Sequence, residues 1–185
     1  MPSRKLLLEK DLVYHIYNRW FNKNNLFFNH KDYERFFKTI EKYQNEFIWI
    51  KILSYCILPN HFHFMIMSKI SGNEISNFMR KVQQWYIMYL KSKYKDSDLI
   101  LQFQWRFKAK QITSDEYFNK CLYYVNYNAV KHWIVGKIED YLYSSVNQFS
   151  EKNESRFKSA FWIKINYSLG DWLEVFFDNF EEFEF

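Results

Sequence analysis

The sequence predicts an α+β fold, an antiparallel sheet of about four to five strands packed by helices. Two observations carry that expectation. Short runs rich in β-branched and aromatic residues alternate with longer segments whose apolar residues recur at helical spacing. Between the apolar runs 47–58 and 61–67 stands a Pro59-Asn60 pair, a turn signal that folds one run back on the other.

Residues 12–20, LVYHIYNRW, are β-formers and predict a first strand. Over 31–45, Tyr33, Phe36, Phe37, Ile40 and Tyr43 fall at helical spacing, so an amphipathic helix follows. FIWIKILSYCIL, 47–58, is an almost unbroken apolar run and predicts a central strand; HFHFMIM, 61–67, returns as its antiparallel neighbour. Ile75, Phe78, Met79, Val82, Tyr86 and Tyr89 mark a second long helix from Asn73 to about Tyr94. A short strand is expected at 102–108, and Ser114 is placed to cap a third helix ending near His132.

The resulting order, β-α-β-β-α-β and a further helix, is the split βαβ, ferredoxin-like pattern, with helices expected on one face of the sheet. Residues 1–150 are expected to form this domain. The remainder, 151–185, is an acidic aromatic C-terminal extension. Its LGDWLEVFFDNFEEFEF pattern predicts a short helical tail docked on the body or on a partner.

A 48% hydrophobic composition with 20 Phe, 15 Tyr and 7 Trp argues for a folded chain with a substantial core. Only Cys56 and Cys121 are present, which excludes a disulfide framework and predicts a reducing, cytoplasmic setting. No apolar stretch approaches the roughly 20 residues of a membrane span, and MPSRKLLLEKD lacks the apolar core of a secretory signal. Net charge is +5, but residues 165–185 hold six acids and no Lys or Arg. Residues 1–164 therefore carry 26 basic against 15 acidic residues, a net +11 that suits a polyanionic partner such as nucleic acid.

The stretch LPNHFHFMI, 58–66, holds the first candidate chemistry. In a strand His61 and His63 share one face, while Phe62 and Phe64 share the other. Two imidazoles make an incomplete divalent-metal site and need a further ligand. The third helix offers one. Phe118, Leu122, Val125 and Ala129 form a core stripe, and Tyr117, Cys121, Tyr124 and Asn128 form the adjacent stripe, about 100° round. Tyr124 and Asn128 are thus i, i+4 neighbours. A carboxamide oxygen suits Mg²⁺ or Mn²⁺, and a phenol near a metal-bound phosphate is a potential nucleophile. Spacing alone does not separate Tyr124 from the other tyrosines.

Five stretches in order, YHIYNR (14–19), YCILPNHFHFMI (55–66), FQWRFK (103–108), YVNYNAV (124–130) and YLYSSV (141–146), resemble the REP-associated tyrosine transposases. These are IS200-like members of the HUH (His-hydrophobic-His) single-strand transposases. The resemblance implies that His61 and His63 bind a catalytic divalent metal, Mg²⁺ or Mn²⁺, with Asn128 as an additional ligand. It implies that Tyr124 is the nucleophile; Tyr123 and Tyr127 are rivals, but neither has Asn four residues later. The family usually has Pro after that Asn, where this chain has Ala129.

The implied activity is nicking and rejoining of single-stranded or hairpin DNA through a 5′-phosphotyrosine, with no ATP. No GxxxxGK[ST] phosphate loop is present, in keeping with that. Candidate DNA contacts are Arg80 and Lys81 on the second helix, with Lys91, Lys93 and Lys95 at its end, and Trp105, Arg106, Lys108 and Lys110 around the short strand. Trp85, Trp105 and Phe107 are candidates for stacking on bases. His15 reads as a structural histidine near the metal, and His30 and His132 have no assigned role. A nucleoid-associated cytoplasmic enzyme, monomeric or a homodimer, is the leading reading. The alternatives are a domesticated hairpin-binding protein with little turnover and a ferredoxin-like RNA-binding domain.

Overall fold

The computed structural model describes residues 7–148, so the tail expected over 151–185 lies outside the described residues. The elements run β1 (Val13–Arg19), α1 (His30–Glu46), β2 (Ile50–Ile57), β3 (His61–Ser68), α2 (Gly72–Lys93), β4 (Lys108–Gln111) and α3 (Asp115–Lys131). The strands form one sheet in the order β2-β3-β1-β4, with every neighbouring pair antiparallel. This is the split βαβ arrangement, with α3 added after the last strand.

The two sheet faces have separate cores. On one, Tyr14, Ile16, Ile52, Tyr55, Phe62, Phe64 and Ile66 pack against Phe36, Phe37 and Ile40 of α1 and Phe78, Met79, Val82 and Tyr86 of α2. On the other, Leu53, Cys56, Leu58 and Met65 pack against Cys121, Leu122, Val125 and Ala129 of α3. Burying one such side chain is worth about 2 kcal/mol. Helices therefore cover both faces rather than the single face expected. β2 is apolar along its length for that reason, and it is an edge strand, not the central one.

A bulge at Ile52/Ser54 shifts the alternation of β2, so Ile50 and Ile52, then Tyr55 and Ile57, reach the α1/α2 face. Its outer edge is partly covered: Ile57 N–H donates to Tyr143 O (2.9 Å), and Cys56 bridges to Ser144. Cys56 and Cys121 are both free and buried.

The last strand also departs from expectation, starting at Lys108 rather than 102. Residues 102–104 pair only loosely with the end of β1, through Phe21 N–H to Gln102 O (3.2 Å) and Gln104 N–H to Arg19 O (3.0 Å). The chain then leaves the sheet at Trp105 and rejoins it at Lys108.

Two buried polar networks fix the helices. Asp32, fully buried in the first turn of α1, accepts from Lys93 and Tyr89 of α2, from Tyr94 that caps α2, and from the backbone of Phe28 and Asn29. Burial pushes its carboxyl pKa up, but those hydrogen bonds outweigh burial and hold it below the usual value. Ser145 Oγ lies against Ser54 Oγ (2.9 Å), accepts from Tyr55 N–H (3.0 Å) and donates to Asn126 Oδ1 (2.8 Å). Asn126 Nδ2 in turn reaches Ser54 Oγ (3.1 Å). This second network pins the roll of α3 on the sheet. Among the described residues, no helix is long and apolar enough to cross a membrane.

Candidate active site

On β3, alternation sends Phe62, Phe64 and Ile66 into the α1/α2 core and leaves His61, His63 and Met65 toward α3. The His61 and His63 rings lie 5.1 Å apart, nearly perpendicular. Each has its Nδ1 engaged. Asn60 Oδ1, in the turn before the strand, lies 2.5 Å from His61 Nδ1. His15 Nε2, on neighbouring β1, lies 2.9 Å from His63 Nδ1. Where Nδ1 carries the proton, Nε2 of each ring keeps its lone pair for a metal.

Burial keeps all three rings neutral. It lowers His15 and His61 to about 4, with smaller contributions from Lys110 on the first and from His132 and Arg19 on the second. His63 is driven well below its ordinary value by burial and then by the neighbouring His15. Neutral imidazole is the form that ligates.

α3 begins where Ser114 Oγ accepts from Tyr117 N–H (3.1 Å), with Asp115 and Glu116 in its first turn. Leu122, Val125 and Ala129 bury against the sheet as expected, which carries the adjacent stripe over the imidazoles. The half-buried Tyr124 ring stands edge-on to His63 at 5.6 Å and to His15 at 5.8 Å. Its phenol pKa is raised, chiefly by burial, with a hydrogen bond from Asn128 opposing. The rivals Tyr123 and Tyr127 stack on each other (5.1 Å).

Asn128 is fully buried. Its Nδ2 donates to Tyr124 O (2.6 Å), while its Oδ1 is buried with no protein partner. A buried acceptor left unmatched wants a cation or a donor from outside the chain. Two neutral imidazoles and one amide oxygen are a donor set suited to a divalent ion. No trio of His, Cys, Asp or Glu among the described residues is arranged to hold a metal, so the candidate set depends on Asn128.

Strand register builds a basic border beside these groups. Lys110 is the cross-strand partner of His15 and Lys108 that of Tyr17, whose ring stacks on His15 and on His63. Lys108 Nζ lies 5.8 Å from the Tyr17 ring, and Lys110 Nζ 5.4 Å from the Tyr117 ring. Trp105 and Arg106 are exposed, Trp105 by 72%. Arg80 and Lys81 are on α2, which covers the opposite face; Lys81 pairs there with Glu46. Lys93 is tied to Asp32, Trp85 lies under Lys42 (4.4 Å), and Phe107 is in the core.

Three neighbours of the site carried no functional reading in the sequence. His132, the residue capping α3, sets its ring 5.0 Å from that of His61. Lys131 Nζ is 5.1 Å from the Tyr124 ring. The Ser54–Asn126–Ser145 network holds the helix that presents Tyr124. His30 instead hydrogen-bonds Tyr143 (2.8 Å), a structural contact.

A family model described as "Transposase IS200 like" matches residues 9–128, from the approach to β1 through Asn128. No curated protein matches the sequence. Among solved structures, a REP-associated tyrosine transposase bound to a REP hairpin is similar, with 18% identity and a TM-score of 0.65. The match covers 80% of this chain and 84% of that one. That likeness bears out the fold, and the family match spans well over half of the chain: the protein belongs to the IS200-like transposase family.

Proposed function

We propose that the protein is a metal-dependent single-stranded DNA transposase that nicks and rejoins strands at hairpin-forming, REP-like sequences, through a 5′-phosphotyrosine at Tyr124. What supports this reading is the Tyr124 ring edge-on to His63 at 5.6 Å, on a helix where Asn128, one turn further on, keeps a buried side-chain oxygen without a protein partner. The hairpin is proposed because the similar solved transposase is bound to one. A cytoplasmic, nucleoid-associated setting follows from such a substrate.

His61, His63 and Asn128 would hold Mg²⁺ or Mn²⁺, which when bound supplies Lewis-acid polarisation of the scissile phosphate. Tyr124 Oη attacks the phosphorus, and the P–O3′ bond breaks. The phenol loses one proton and the departing 3′ oxygen gains one, so the step is balanced. The new phosphotyrosyl ester replaces one phosphate ester by another, so a second 3′-OH can reverse the attack and join strands. Because burial holds Tyr124 protonated at neutral pH, deprotonation must accompany attack. The hydrogen bond from Asn128 is the contact that favours the phenolate as it forms.

The test is a labelled hairpin strand incubated with Mn²⁺ or Mg²⁺ and resolved under denaturing conditions. A covalent protein–DNA adduct that requires the metal is the expected result. Binding without an adduct under any metal condition makes the protein a hairpin-binding relative without turnover. Preference for RNA makes it an RNA-binding domain.

A further inference from the structure

α3 ends in an uncommon way. Trp133 N–H donates to Val130 O and Ile134 N–H to Ala129 O, both at 2.9 Å, which is the Schellman pattern of helix termination. The residue at its left-handed position is normally glycine, because a Cβ there crowds the backbone. Here it is Trp133, with φ 58°. A bulky aromatic in this conformation is an outlier that costs stability. Among the described residues no packing offsets the cost, since Trp133 is 93% exposed. Glycine, which has no Cβ, would end the helix better.

From its place in the chain, its exposure and the Lys131 charge two residues away, we infer that Trp133 stacks on an unpaired base of the DNA strand lying at the active site; this rests on the reading of that site as acting on single-stranded DNA. Trp133 adjoins His132, whose ring lies 5.0 Å from His61, and follows Lys131, whose ammonium lies 5.1 Å from the Tyr124 ring. An indole close to the Lys131 ammonium is the pairing that grips a single strand, phosphate on the charge and base on the ring. Neighbouring Ile134 is the only adjacent apolar side chain also exposed among the described residues 130–136, and at 39%. That is far less apolar surface than a stable protein interface of roughly 1,000 Å² requires. One base fits it.

The experiment compares wild type, Trp133→Gly and Trp133→Phe in binding two labelled hairpins, one with a single-stranded extension and one blunt, alongside thermal unfolding and sedimentation. Trp133→Gly is expected to bind the extended hairpin about tenfold more weakly and the blunt one unchanged. Its Tm is expected to rise by about 2 °C, because glycine relieves the strained position. Trp133→Phe keeps extended-hairpin binding within about threefold of wild type, since a flat ring remains. Wild-type affinity of Trp133→Gly for both DNAs overturns the role, as does equal loss on both with a lowered Tm. Loss of self-association with unchanged DNA binding overturns it too, by making the indole a contact between copies. Wild-type protein that binds neither hairpin overturns the transposase reading, and this role with it.

Discussion

Nε2 of His15 lies 2.9 Å from Nδ1 of His63, so a buried imidazole on β1 braces the imidazole on β3 that faces Tyr124. When His63 Nδ1 carries the proton of this contact, Nε2 of His63 is the nitrogen left for a metal. His15→Phe removes the hydrogen-bond partner of His63 Nδ1 inside the protein. Mn²⁺ affinity, measured by calorimetry, is expected to fall about ten- to a hundredfold, the usual effect of losing such an outer partner. Unchanged affinity would mean that His63 is oriented by packing alone.

The same cluster makes the metal-free fold sensitive to acid. His15 and His61 sit at about 4 in the folded protein against 6.5 for an ordinary histidine, and His63 is lower than its ordinary value as well. Between pH 6.5 and 4 the unfolded chain takes up protons that the folded chain refuses, so stability declines as pH falls through that window. His15 alone contributes on the order of 3 kcal/mol of this decline. Urea unfolding at about pH 7, 5.5 and 4.5 checks it, and His15→Phe is expected to flatten the dependence. A stability independent of pH across the window would contradict the buried, neutral cluster.

Lys108 and Lys110 border the imidazole face, whereas Lys81 of α2 is paired with Glu46 of α1 over the other face. Replacing Lys108 or Lys110 by Ala is expected to weaken hairpin binding. Its salt dependence is expected to become shallower, by about 0.7 in the log–log slope for each phosphate that is no longer neutralised. Lys81→Ala is expected to leave the slope as it is. A binding titration at several salt concentrations distinguishes the two faces.

Asp32 is remote in role from the chemistry but central to α1–α2 packing. Removing its carboxylate strands Lys93, Tyr89 and Tyr94 without their acceptor. Asp32→Ala is expected to cost about 3 kcal/mol, read by urea unfolding, because one partner of a buried pair is deleted. Below its lowered Tm the variant is expected to form the covalent adduct as wild type does.

Much of this was legible in the sequence, for identifiable reasons. The period of two in HFHFMIM placed His61 and His63 together, and the period of 3.6 in α3 placed Tyr124 beside Asn128, with Ala129 turned to the core. Ser114 capped the helix as its residue type suggests. The position of β2 was not legible, because an apolar run looks the same whether a strand is central or is an edge covered on both faces. Nor was the late start of β4, since Phe103 and Phe107 read as strand although the chain leaves the sheet between them. His132 and the Ser54–Asn126–Ser145 network depend on contacts between distant segments. Single residues of ordinary type, such as two serines and an asparagine, give no local signal of that.

Covalent mapping tests the central claim most directly. The hairpin strand is reacted with Mn²⁺ present, the protein is digested, and the nucleotide-bearing peptide is sequenced by mass spectrometry. A phosphonucleotide on Tyr124, lost in Tyr124→Phe while hairpin binding persists, is the expected result. Attachment to Tyr123 or Tyr127, or an adduct that survives Tyr124→Phe, would contradict it.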